Sequence, residues 1–272
     1  MTPLWALTVA LAGTVAGALG AMLGIGGGVL LVPFLVIGLH LPIQQAVGVS
    51  LITVIATSSA VSAGTAGRHL INLRLGMLLE IATAAGGLVG GVTAAALSAR
   101  ALAWLFSGVT AGIAILTLTR LHRRNVLHEG THPGAWGGRI HDAETGRMVA
   151  YRVKRLPLAL AGSFVAGNLS TLLGIGGGTI KVPLLNALCG VPLRVATATS
   201  AFMIGVTATS GALVYYGQGL IVPSTAAAAV LGVLAGSTLG LRLGTALPVR
   251  GLKILMAVVL LTVSALMLVR TP

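Results

Sequence analysis

The stretch GALGAMLGIGGGVLLVPFL, residues 17–35, decides the fold, because it returns as GNLSTLLGIGGGTIKVPLL at residues 167–185. The offset of 150 residues holds well beyond the motif. Gly17 meets Gly167, Pro33 meets Pro183, Pro42 meets Pro192 and Ser50 meets Ser200. Further on, Gly86 meets Gly236, Gly90 meets Gly240, Arg100 meets Arg250 and Arg120 meets Arg270. Self-similarity of this kind makes the chain two tandem copies of one unit. Each copy carries an apolar stretch broken by Gly24 and Gly26–Gly28, or by Gly174 and Gly176–Gly178. A soluble core has little use for such a break, whereas transporters break helices near the bilayer midplane to offer backbone to a substrate.

Composition fixes the class. Apolar residues make up 56% of the chain and charged residues 8%, against about 25% charged in a soluble domain. Several apolar runs reach the ~20 residues that cross a bilayer, so the reading is an all-α polytopic membrane protein. The net charge of +13 does not indicate nucleic acid. Basic residues gather at the ends of apolar runs and in one central loop, as the positive-inside bias requires, and no aromatic-interleaved basic face exists. Cys189 stands alone, which excludes an intramolecular disulfide or a cysteine metal cluster. The N-terminal MTPLWALTVALAGTVAGALGA resembles the apolar part of a signal peptide. It lacks a basic lead-in and runs on into the motif, so it reads as retained structure.

Each half offers four hydrophobic blocks, roughly 4–39, 43–66, 74–98 and 101–119, then 157–189, 193–215, 223–246 and 250–270. The expected domains are a first transmembrane repeat (1–120), a basic cytoplasmic connector (121–156) and a second repeat (157–272). The first block of each half is too long for one ordinary span. Broken at its glycines, it becomes a span plus a re-entrant piece, or a hairpin of two short segments. Charge chooses between topologies. If the broken block returns to its starting side, the halves are inverted. Arg68, Arg74, Arg194, Arg242, Arg250 and Lys253 then join the central loop on the inside, leaving Arg100 and Arg270 outside. A single crossing moves four of those cations outward. The bias favours two inverted-topology repeats of four to five segments each, with both termini periplasmic.

The third blocks carry a packing signal. Gly232, Gly236, Gly240 and Gly244 recur every fourth residue, answered by Ala82, Gly86, Gly90 and Ala94, and bare helix faces of this kind let backbones approach in lipid. The central segment holds four of the six histidines, His122, His128, His132 and His141. His128 and His132 have a metal-binding spacing for a helix, but Gly130 and Pro133 argue against one. A flexible basic connector is the plainer account, with a hairpin around DAETG open to it. No metal and no cofactor are expected.

The glycine break is the candidate binding site. The helix starting after Gly28 or Gly178 presents backbone N–H groups and a positive dipole end, which suits an oxyanion. Gly26, Gly27, Gly28, Gly176, Gly177 and Gly178 are therefore candidate substrate-binding residues, with plain helix packing as the alternative. No Gly-Lys-Ser/Thr follows either cluster, so a phosphate-loop reading fails. The second copy is the more polar one: Asn168, Ser170, Thr171, Thr179 and Lys181 replace small or apolar residues of the first. Lys181 at membrane depth either balances a bound anion or snorkels to an interface. An unpaired lysine there would make Lys181→Met neutral or stabilising. Asn168 and Thr179 complete that side of the site. Ser50 and Thr57 share a helix face, extended by Thr53 and repeated as Ser200 and Thr207; their hydroxyls line a pathway or bond back to their own helix. Glu80 is the carboxylate within a hydrophobic block. It either exchanges protons or, as the simpler account, pairs with Arg74 near the inner end. Paired carboxylates and a nucleophile–base arrangement are absent, which argues against an enzyme.

The paired motifs GIGGGVLLVPFL and GIGGGTIKVPLL resemble those of the sulfite exporter TauE/SafE family of bacterial membrane permeases. So do the proline-led polar helices LPIQQAVGVSLI and VPLRVATATSAF, and the loop between similar halves. The resemblance implies a secondary transporter, an exporter of small anions such as sulfite, sulfonates or other organosulfur anions, in the bacterial inner membrane. It carries over Gly24, Gly26–Gly28 and Pro33, then Gly174, Gly176–Gly178 and Pro183. The expected partners are a small anionic substrate and the lipid bilayer, with no nucleic acid and a homo-oligomer left open. An anion channel, or a scaffold or sensor acting through the basic loop, are the alternatives.

Overall fold

The computed structural model describes residues 3–65, 70–119, 132–141, 148–246 and 249–270. It is an all-α polytopic membrane protein with a two-stranded hairpin in its connector. The first half comprises α1 (Pro3–Leu23), α2 (Gly28–Pro33), α3 (Ile43–Thr65), α4 (Leu73–Ala96) and α5 (Ala99–Thr119). The hairpin strands β1 (Gly138–His141) and β2 (Met148–Tyr151) follow. The second half comprises α6 (Leu156–Leu173), α7 (Gly178–Pro183), α8 (Leu193–Gly217), α9 (Pro223–Ala246) and α10 (Val249–Arg270). Among the described residues, six helices are long and apolar enough to cross a membrane: α1, α3, α4, α6, α8 and α9. The outward faces suit lipid. Leu4, Leu7, Leu11 and Val15 lie at helical spacing on α1, and all are exposed, as a bilayer-facing stripe must be when lipid tails replace water.

Local chemistry explains the break in the first block. Gly24 has φ 68°, Gly26 85° and Gly27 75°, and Gly174, Gly176 and Gly177 repeat this at 68°, 78° and 59°. That left-handed region is open to glycine at no steric cost. Gly24 ends α1 in a Schellman-type closure, with Ile25 N–H donating to the Gly20 carbonyl at 3.0 Å. Pro33 and Pro183 then close the short helices α2 and α7. Each lacks an N–H to continue the α ladder, and the chain widens into a π turn over Phe34–Gly38 and Leu184–Leu188.

The two halves are interlaced. A Cβ on Gly232, Gly236 or Gly240 of α9 would strike the carbonyl of Ala10, Thr14 or Ala18 of α1. The equivalent contacts place Gly86 and Gly90 of α4 against the carbonyls of Phe164 and Asn168 of α6. Both pairs therefore run in the same direction, backbone on backbone, as the stripe of small residues requires. Gly48 and Gly64 of α3 meet Leu220–Ile221 and Leu241, so α3 also runs with α9. Gly76, Gly87 and Gly91 of α4 meet Thr199, Thr207 and Val214, so α8 runs with α4. The start of α3 lies by the end of α8, at Gly48 and Tyr215. Just past the end of α3, Asn72 N–H donates to Thr199 Oγ1 at the start of α8 at 2.9 Å. Thus α1, α3 and α9 run one way and α4, α6 and α8 the other. Outside this core α5 packs on α10, where Ser264 Oγ donates to the Ser107 carbonyl at 2.9 Å.

The connector corrects one expectation. Its described parts are docked rather than a flexible tether. The hairpin pairs Gly138 with Tyr151 and His141 with Met148. Ile140 and Tyr151 are buried with Leu75, Leu79, Cys189 and Val191. Asn72 holds it: Nδ2 donates to the Trp136 carbonyl at 2.8 Å and to the Tyr151 hydroxyl at 2.9 Å, while Oδ1 caps Leu75 N–H at 3.1 Å. Burial pushes the Tyr151 phenol above its usual range, and the Asn72 hydrogen bond opposes that. His132 is exposed. His122 and His128 lie outside the described residues, as do Arg68, Glu129, Asp142 and Glu144.

Candidate functional site

The two glycine turns touch. A Cβ on Gly28 would collide with the Gly174 carbonyl oxygen, and one on Gly178 with the Gly24 carbonyl oxygen. Gly176 lies against the Ile25 carbonyl, Gly26 against the side chains of Val54 and Ile204, and Gly27 against the Ala16 carbonyl. In this conformation five of the six candidate glycines are therefore used for close packing, and carbonyls cover the starts of α2 and α7. Gly177 differs. The position its Cβ would take meets only polar and charged side chains, 3.2 Å from Ser170 Oγ and 3.7 Å from Lys181 Cε, whereas Gly28 meets Ser50 Oγ beside a backbone carbonyl.

Beside that turn lies a buried charged trio which draws on both halves. Lys181 is 1% exposed and Glu80 7%. Lys181 Nζ donates to Glu80 Oε2 at 3.3 Å and to Thr207 Oγ1 at 2.9 Å. Thr207 Oγ1 in turn donates to Glu80 Oε1 at 2.6 Å, with the Met203 carbonyl 3.2 Å away as a second acceptor. Thr83 Oγ1, on the turn after Glu80, lies 3.5 Å from Glu80 Oε2 and bonds back to the Leu79 carbonyl at 2.7 Å. Two unlike charges in a low-dielectric interior hold each other strongly, and removal of either leaves the other uncompensated.

This overturns two sequence readings. Lys181 does not snorkel: α7 begins at the turn in the protein interior, too short to carry an ammonium to an interface. Glu80 does not pair with Arg74, which is exposed six residues earlier on α4. About one and two-thirds turns separate these positions around the helix, so they face apart. The stem of Lys181 reaches the inward face of α4 instead.

The remaining candidates divide clearly. Ser50 Oγ donates to the Gly174 carbonyl at 2.7 Å and so ties α3 to the other half's turn. Thr57 and Thr53 bond back to Thr53 and Ser50 carbonyls, the local option open to such hydroxyls. Thr207 belongs to the trio. Asn168 is half-buried on α6, its backbone under Gly90. Thr179 and Ser200 are fully buried, and their hydroxyls have no partner, as is also true of Ser170 and Thr171. A buried polar atom without a partner carries a desolvation cost that needs an account, and three of them, Ser170, Thr171 and Thr179, flank the second-half turn in the chain. A separate cavity of about 390 Å³ opens between α3 and α8, with Ser58, Ser59, Ser62 and Thr209 in its lining.

The pseudo-symmetric positions show what is special here. At the 150-residue offset, Glu80 corresponds to Val230, Lys181 to Leu31 and Thr207 to Thr57. The same architecture thus holds aliphatic side chains at one of its two symmetry-related positions and an ion pair at the other.

Comparison with known proteins agrees with this architecture. A family model described as Sulfite exporter TauE/SafE matches residues 9–267. The chain is 25% identical over 260 residues to the probable membrane transporter protein YunE of Bacillus subtilis, covering 92% of this chain and 93% of that one. It is 39% identical over 100 residues to Sulfite exporter TauE/SafE family protein 6 of Arabidopsis thaliana, covering 36% of this chain and 22% of that one. No solved structure matches the chain with significance. The family match runs through both glycine turns and every helix of the two halves, and the protein belongs to the sulfite exporter TauE/SafE family of membrane transporters.

Proposed function

We propose that the protein is a secondary transporter that exports a small anion, sulfite or an organosulfur anion such as a sulfonate, across the bacterial inner membrane. The observation that carries this reading is the second-half turn. There a buried ammonium and the unpartnered hydroxyl of Ser170 lie beside Gly177, on a turn whose flanking residues Thr171 and Thr179 also carry unpartnered hydroxyls. An oxyanion supplies the acceptors that these donors lack, and the ammonium offsets its charge where desolvation would otherwise exclude it. The covering carbonyls fit a closed conformation, from which the two turns must part to admit the anion. The name of the Arabidopsis relative points to sulfite, and the sulfonates share its three-oxygen face.

The assay is flux into proteoliposomes with sulfite, sulfoacetate, thiosulfate, methanesulfonate and a neutral control. Saturable flux of at least one anion, and none of the neutral solute, is the expected result. No anion flux above empty vesicles would sink the reading, and flux that never saturates would make the protein a channel.

The opposed directions of α1 and α6 also support an inverted pair of repeats. Each glycine-broken block returns to its starting side, the connector lies in the cytoplasm and both termini lie in the periplasm. A periplasm-dependent reporter fused after Pro272 should be active. Activity from a cytoplasm-dependent reporter at the same place would mean that the halves are parallel in the membrane.

A further inference from the structure

We propose that Glu80 and Lys181 form an exchange pair that couples one proton to each monoanion carried. The arriving anion takes the Lys181 ammonium, and the displaced Glu80 carboxylate takes up a proton. This rests on the anion-transport reading above and extends it to the energy source.

The geometry supplies each part. The pair spans the halves, with Glu80 on α4 and Lys181 on α7, so any parting of the glycine turns pulls on it. Lys181 Cε and Ser170 Oγ flank the same point over Gly177. An anion there meets the ammonium and a hydroxyl whose own hydrogen-bonding capacity is unused. Thr207 is the hinge of the exchange. Its hydroxyl donates to Glu80 while accepting from Lys181. Once Glu80 is protonated, its new O–H donates to Thr207 Oγ1, and the Thr207 proton turns to the Met203 carbonyl, already 3.2 Å away. The Thr207 hydroxyl thus both donates and accepts at each stage.

Charge conservation gives the stronger argument. Unloaded, the site holds one ammonium and one carboxylate and is neutral. Loaded, it holds one ammonium, one monoanion and one carboxylic acid, and is neutral again. A carrier that kept Glu80 ionised would cross the bilayer with net negative charge in one of its two forms, and a buried charge without a counter-ion is costly. Among the described residues, no charged group other than Lys181 pairs with Glu80. The titratable side chains of the helices packed around it are Arg74 on α4, Arg194, Tyr215 and Tyr216 on α8, and Lys181 on α7; α6 carries none. Arg74 and Tyr216 are exposed, Arg194 is half-buried at the start of α8, and Tyr215 lies 3.5 Å from the Leu172 carbonyl. The aliphatic pair Leu31 and Val230 at the symmetric site shows that packing alone does not require these charges.

The test uses the full chain in proteoliposomes loaded with a pH dye, with methanesulfonate as probe because it carries no titratable proton. An inward methanesulfonate gradient should acidify the lumen of wild-type vesicles in step with uptake, with about one proton per anion. An imposed membrane potential should leave the rate unchanged. Glu80→Gln keeps the shape and should lose the proton signal together with roughly tenfold of net flux. It should lose less in anion-for-anion exchange, which needs no unloaded return. Methanesulfonate uptake without acidification, or a rate that follows the potential, overturns the exchange pair and leaves anion transport standing. No methanesulfonate flux in wild type overturns the sulfonate reading and the pair with it. The wild-type measurements decide the matter even if Glu80→Gln fails to fold.

Discussion

Lys181→Met should destabilise the protein by about 3–5 kcal/mol, the usual cost of stripping one partner from a buried ion pair. An unpaired lysine would have given the opposite sign, and the 3.3 Å contact with Glu80 is what reverses it. The double variant Lys181→Leu with Glu80→Val should recover most of that loss. It rewrites the site with the residues of the symmetry-related site, Leu31 and Val230, where equivalent positions already hold aliphatic side chains. Replacing a buried pair with apolar side chains is often neutral or stabilising by about 1–4 kcal/mol. Unfolding midpoints in detergent for the wild type, the two single variants and the double close a cycle that isolates the pair. A stable double variant that moves no anion would separate folding from function. A single Lys181→Met as stable as wild type would show that the pair contributes nothing to the fold.

A second large effect is expected from one methyl group. Gly86→Ala and Gly236→Ala place a Cβ on the carbonyls of Phe164 and Thr14, backbone atoms that cannot swing aside. Each should cost on the order of 1–3 kcal/mol or more through overpacking, read as a lower midpoint and a broader size-exclusion peak. Gly108→Ala and Gly112→Ala are the controls, because nothing lies within 4 Å of either Cβ position on α5. There alanine should stabilise by about 0.5–1 kcal/mol through helix propensity alone. Equal effects at all four positions would mean that the glycine stripe does not set the helix spacing.

The sequence carried the membrane class, the duplication and the small-residue stripe, because each is periodic or compositional and survives without coordinates. The break at Gly24–Gly28 was legible for the same reason: only glycine enters the left-handed region freely, so three such residues in a row announce a turn. What the glycines face was not legible, since that depends on the second turn arriving from 150 residues away. Glu80 shows the limit best. Read along the helix, its nearest opposite charge is Arg74; read in space, it is Lys181, on the other half. A signal did exist: one carboxylate and one lysine stand at membrane depth, of opposite sign and each without a repeat counterpart. Weighing those two exceptions together, rather than each against its neighbours, points to the pair.

The interlacing of the halves also has a consequence in time. As the chain leaves the ribosome, α1 enters the membrane first, yet the backbone groove along Ala10, Thr14 and Ala18 is filled only when α9, residues 223–246, has been made. Until then the first half carries an unoccupied seam, and α4 likewise waits for α6. Neither half is a module that can be finished and set aside, so a present-day chain split between α5 and α6 should assemble only if both pieces are made in the same membrane. A single-copy ancestor faced the same geometry, and could have closed its seams only against a second molecule of itself inserted the other way up.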